Sequence, residues 1–96
     1  MQNITLESVI HRSREVMASH IDEDLVMMNI DRGQYYALDE IGADIWARLE
    51  QPTQVQDLCQ QLQRQYSVNP MTCEADVLAL LNDMYENDLL SLVSRK

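Results

Sequence analysis

The spacing of apolar residues changes at Leu38, and this switch constrains the fold more than any other feature of the chain. Before it, residues 16–21, 25–30 and 34–38 are short runs of strand-forming residues, separated by Asp22-Glu23-Asp24 and by Asp31-Arg32-Gly33. Runs of this length between turn formers read as strands joined by two consecutive hairpins. The second loop ends in Gly33, which suits a type I turn closed by a left-handed residue, because glycine has no Cβ to clash at positive φ. After Leu38 the period is helical: Ile41, Ile45, Trp46 and Leu49 share one face of a helix entered at Asp39 and stopped near Gln51-Pro52. Thr53 and Gln56 then form a capping-box pattern ahead of a stripe of Val55, Leu58, Cys59, Leu62 and Tyr66. Asn69 and Pro70 offer the N-cap and first-turn proline of a third helix that runs to about Asn87. The order predicts an α+β, winged helix-turn-helix-like domain: a three-stranded antiparallel sheet followed by a three-helix bundle.

At 96 residues the chain is expected to form a single domain over 1–96, with its core in about 16–93. Residues 1–15 show no clean period; Ile4-Thr5-Leu6 could add a short strand, and an apolar run at 89–93 follows the third helix. Leu25-Val26-Met27-Met28 and Tyr35-Tyr36-Ala37-Leu38 do not alternate between apolar and polar, so both faces of the sheet are expected to be covered. The third helix carries a core stripe of Val77, Leu80, Leu81 and Met84, and Leu78, Leu81 and Tyr85 widen its apolar arc. Either the chain's own ends or a partner must cover that second side.

Several functions are excluded by residue type and spacing. A net charge of −9 repels phosphate backbones and anionic lipid, so neither nucleic acid nor membrane is an expected partner. No apolar run is long enough to cross a bilayer, and the polar start Met1-Gln2-Asn3 lacks the basic and apolar regions of a secretory signal, so a bacterial cytoplasmic location is expected. Cys59 and Cys73 are too far apart for a Cys-x-x-Cys redox pair and too few for a zinc framework; both read as reduced, buried small residues. His11 and His20 have no nucleophile in a recognisable motif, and Asp22, Glu23, Asp24 and Asp31 lack the spacing of a calcium loop. Gly33 and Gly42 are the only glycines, which leaves no phosphate-cradling loop. No catalytic residue, metal or cofactor is expected. A winged helix often reads DNA with its third helix, yet here that helix and the residues after it carry Glu74, Asp76, Asp83, Glu86 and Asp88 with no Lys or Arg from 71 to 90.

The sheet suggests what replaces DNA binding. If the run Gln34, Tyr35, Tyr36, Ala37 and Leu38 lies at an edge, its unpaired N–H and C=O groups can take a peptide as an added strand. Pockets between that strand and the third helix would supply specificity, and the acids of the helix would attract basic positions on the peptide. An open edge could also pair with a second copy of the chain, giving a homodimer.

The same residues carry a family resemblance. The stretch from Gly33 to Trp46 reads G-x-Y-Y-x-L-x-x-x-G-x-x-I-W; it is followed by Tyr66-Ser67-Val68 and by Cys73-Glu74-Ala75-Asp76-Val77 with Leu81. This pattern resembles the PqqD-like family, the recognition elements for ribosomally made, post-translationally modified peptides. The Cys-Glu-x-Asp-Val form and the short length look most like the stand-alone leader-binding proteins of lasso-peptide biosynthesis. The resemblance implies a precursor's leader peptide added beside the third strand against the third helix, and delivery to a separate leader peptidase and ATP-dependent cyclase. By the same carry-over, Tyr35, Tyr36, Ala37 and Leu38 line the strand side, and Asp76, Val77, Leu80, Asp83 and Met84 the helix side. Many relatives carry Asn where this chain has Asp39, a change that both residues tolerate as helix caps. The alternatives are a winged-helix transcription regulator, a subunit that docks on a protein without binding a peptide, and a peptide chaperone serving a radical enzyme of quinone-cofactor synthesis.

Overall fold

The structure, a computed structural model, describes residues 4–14 and 16–93; the start Met1-Gln2-Asn3 lies outside them. In chain order the elements are β1 (Val9–Arg12), β2 (Val16–Ile21), β3 (Asp24–Asn29), β4 (Gln34–Leu38), α1 (Glu40–Arg48), β5 (Thr53–Gln54), α2 (Val55–Tyr66), α3 (Pro70–Glu86) and β6 (Leu90–Leu92). The expected antiparallel sheet is β2-β3-β4 with β3 in the middle, and the three expected helices follow it. The first hairpin turns at Asp22, whose φ is 57°, a value that aspartate tolerates. The second turns through Ile30 to Gly33, at φ 64°, with the Gly33 N–H donating to the Asn29 carbonyl at 2.8 Å.

A second sheet, β5-β1-β6, was not expected. It places Ile10 opposite both Thr53 and Leu92, so three short segments distant in sequence join around one buried residue. The short strand that Ile4-Thr5-Leu6 could add does not form there: Ser8 closes a turn on Thr5, and the strand forms at β1 instead. The N-terminal arm still has a structural role. The Leu6 and Ser8 carbonyls accept from the N–H groups of Gln56 and Val55, each at 2.9 Å, and so satisfy the start of α2. The predicted capping box is displaced accordingly. Thr53 is drawn into β5, its hydroxyl donates to the Gln51 carbonyl at 2.8 Å, and the N-cap of α2 is Gln54, with no side-chain bond.

The cap of α3 matches its reading: Asn69 Oδ1 accepts from the N–H groups of Met71 and Thr72. Arg12 ties β1 to α1, donating to the Trp46 carbonyl at 2.9 and 2.7 Å while its guanidinium lies 4.9 Å from the centre of the Trp46 ring. The core is built from Leu25 and Met27 of β3, Leu38, Ile45, Trp46, Leu49, Leu58, Leu62, Val77, Leu81 and Met84.

Only one face of the main sheet meets this core. Leu25, Met27 and Asn29 are buried, whereas Met17, Ile21 and Tyr35 on the other face are 60%, 57% and 74% exposed. The expectation of two covered faces is therefore corrected; the apolar residues between the buried ones simply lie at the surface. The second side of α3 is covered from within the chain. Asn82 accepts from the Ile4 N–H at 2.8 Å and donates to the Ile4 carbonyl, which seats buried Ile4 on the helix. No helix among the described residues is long and apolar enough to cross a membrane.

Candidate functional site

β4 is an edge of its sheet, paired with β3 alone among the described residues. Beside it runs a groove of about 470 Å³, bounded by Tyr36 to Asp39, by Ile41, Gly42 and Ile45 of α1, and by Asp76, Val77 and Leu80 of α3. The groove exists because α1 turns back under the end of β4. Asp39 caps that turn, its carboxylate accepting from the Gly42 N–H at 2.9 Å. Gly42 allows the approach: a Cβ there would stand 2.9 Å from Leu38 Cβ.

One end of the groove is closed by polar ties between the β3–β4 hairpin and the end of α3. Tyr36 donates its hydroxyl to the Asp83 carboxylate. Buried Asn29 donates to the carbonyls of Asn87 and Asp88, meeting acceptors that the helix end leaves unpaired. Arg32 pairs with Asp88 at 3.1 Å across the surface. Burial, then the hydrogen bond and charge of Asp83, pushes the Tyr36 phenol up to about 12, so it remains a donor across the neutral range.

The other end opens into a smaller hollow of about 140 Å³ that shares Ile41, Asp76 and Val77 and is lined further by Leu62, Tyr66, Val68 and Cys73. Tyr66 is fixed there by donating to Asp44 at 2.7 Å, and Asp44 in turn pairs with Arg48 at 3.1 Å. That bond to Asp44, more than burial, raises the Tyr66 pKa.

The structure separates the residues expected at the site into distinct places. Leu38 and Val77 are buried at the groove floor; Leu80 is half-buried, and Ala37 and Asp76 are exposed at the rim. Tyr36 and Asp83 meet each other at the closed end. Gln34 is exposed near that end, while Tyr35 pairs opposite Met28 and shares the outer face of the sheet. Met84 has no exposed surface and belongs to the core, because it sits one helical turn from Leu80 but is rotated inward with Val77 and Leu81. Sequence reasoning missed Asp39, Ile41, Gly42 and Ile45. The Gly42 motif position was the available signal. Among the described residues no group of three or more His, Cys, Asp or Glu could hold a metal ion.

Comparison with known proteins identifies the family and the fold. No curated protein matches the sequence. Among solved structures, TbiB1 in complex with the TbiA(β) leader peptide is 28% identical, with a TM-score of 0.78 over 88% of this chain and 99% of that one. Lasso peptide synthetase B1 complexed with its leader peptide is 24% identical, with a TM-score of 0.70 over 85% and 96% of the two chains. The PqqD truncation of Methylobacterium extorquens PqqCD, described as a stand-alone RiPP recognition element, is 19% identical, with a TM-score of 0.77 over 92% and 94%. The fold is thus that of the leader-binding RiPP recognition elements. The family described as coenzyme PQQ synthesis protein D matches residues 24–90, a span that contains β3, β4 and all three helices, and this chain is a member of the PqqD family.

Proposed function

We propose that the groove between β4 and α3 binds the leader segment of a ribosomally made precursor peptide, which adds as a strand beside β4. The observation that carries this reading is an unpaired strand edge lying directly over an apolar floor of Leu38, Ile45 and Val77. Backbone bonds to the edge supply grip for any sequence, and alternate side chains of the added strand reach the floor, which supplies choice. The hollow next to Ile41 and Val68 extends that choice by one further apolar side chain. Asp76 on the rim favours basic positions in the leader. Binding raises the local concentration of precursor near the enzymes that modify it, and the protein itself performs no chemistry. In a lasso-peptide pathway those enzymes are a leader peptidase and an ATP-dependent cyclase, within the bacterial cytoplasm. The resemblance to TbiB1, solved with a leader peptide bound, supports this route over quinone-cofactor synthesis. The DNA-reading alternative has no support in the groove, whose α3 rim is acidic.

The test is a titration of the labelled protein with the synthetic leader of the precursor from the same gene cluster. Amide shifts and new exchange protection are expected along Tyr35 to Leu38. Asp76→Lys should keep the unfolding midpoint and weaken a basic leader, most clearly at low salt. Val77→Ala should lose about 1–3 kcal/mol of stability, because Val77 is buried. Saturable binding without a response in β4 would rule out strand addition at this edge.

A further inference from the structure

The main sheet has a second edge that leader binding does not use. β2 pairs with β3 alone among the described residues, and every residue from Met17 to Ile21 is exposed. Exposed edges are usually protected by Lys, Pro or a bulge. Among Val16, Met17, Ala18, Ser19, His20 and Ile21 there is no Lys or Pro, and the pairing with β3 runs residue for residue without a bulge.

We propose that β2 pairs antiparallel with β2 of a second copy of this chain, about a two-fold axis through Ser19. The two sheets then join into one, with a leader groove free at each far end. The register follows from which residues must meet. Residues opposite one another in an antiparallel pair share a face, so with Ser19 on the axis Met17 stands opposite Ile21 of the second copy, and Ala18 opposite His20. The two large apolar side chains that the edge exposes, at 60% and 57%, thereby cover each other on both sides of the axis.

The opposite edge is unsuited to the same contact. Pairing β4 with β4 would bring the acidic rims at Asp76 and Asp83 of two copies together. On the inner side of β2, a hollow of about 560 Å³ toward α1, between Ala18, His20 and Trp46, leaves room for the inward side chains of the second copy. The five residues Met17 to Ile21 that pair in this register span only about 17 Å, so the contact is smaller than a permanent interface and the association depends on concentration.

The inference stands apart from leader binding and can be tested on the full chain alone. Sedimentation equilibrium over a range of concentrations should show a monomer–dimer equilibrium. Ser19→Cys should form an intermolecular disulfide on mild oxidation, because the two substituted positions face each other on the axis, whereas Met17→Cys should not. Cys59 and Cys73 are buried and do not compete. Ser19→Lys sets two ammonium groups opposite each other on an exposed site and should weaken association about tenfold or more, with the amide spectrum of the monomer retained. A monomer mass at every concentration overturns the proposal. So do equal cross-linking at positions 17 and 19, and a dimer indifferent to Ser19→Lys.

Discussion

Replacing Gly42 by alanine tests the contact on which the groove depends. The new Cβ would lie 2.9 Å from Leu38 Cβ, 3.1 Å from Leu38 Cδ2 and 3.4 Å from Asp39 Oδ1. Carbon atoms in good contact sit about 3.5–4.0 Å apart, so α1 and β4 must separate by roughly 0.5–1 Å. Leu38 cannot relieve the clash by rotating, because its own Cβ is the nearest atom and moves only with the strand. Overpacking of this kind costs about 1–3 kcal/mol. Alanine in place of glycine within a helix returns about 1 kcal/mol. The net expectation is a loss of about 0–2 kcal/mol, and for a domain of this size each 1 kcal/mol lowers the melting temperature by roughly 4–8 °C. Urea unfolding measures the loss, and a leader titration reports whether the widened groove binds more weakly. Gly33→Ala is the control. At φ 64° with no atom within 4 Å of its Cβ, it incurs conformational strain of about 1–2 kcal/mol without moving the groove. A Gly42→Ala protein stabilised by the full helix-propensity gain would refute the close approach of α1 to β4.

Two further outcomes follow from the same structure. Tyr36 is raised from 10.0 to about 12, chiefly by burial and then by Asp83, so the folded chain keeps a proton that the unfolded chain gives up. Its stabilising contribution is fully present below pH 10 and is lost as pH rises from 10 toward 12; Tyr36→Phe should flatten that slope in urea midpoints measured across the interval. The Cys59 thiol is pushed up to about 11, by burial first and then by Cys73 and Glu74, and both cysteines are buried. Ellman's reagent should therefore leave the native protein unmodified near neutral pH and react with both thiols in denaturant; rapid native reaction would contradict this packing.

Much of the fold was legible because its signals are local. The switch at Leu38 separates strands from helices, Gly33 marks the only turn that needs glycine at positive φ, and Asn69-Pro70 starts α3 where its cap geometry requires. The second sheet was not legible, since a four-residue, a two-residue and a three-residue strand carry no period of their own and become strands only by meeting one another. The same dependence on distant partners displaced Thr53 from its cap.

Within the site, the sequence by itself determined that an apolar, acidic third helix would accompany a short strand rich in tyrosine. It could not determine which side each residue takes. Leu80 and Met84 are both apolar and four residues apart, yet only the docking of α3 on α2 and β6 turns Leu80 to the rim and leaves Met84 without exposed surface. Tyr35 and Tyr36 are neighbours, and pairing with β3 sends the first to the outer face and the second to Asp83. Local conformation depends on neighbouring residues, whereas burial and polar pairing depend on what the rest of the chain brings into contact.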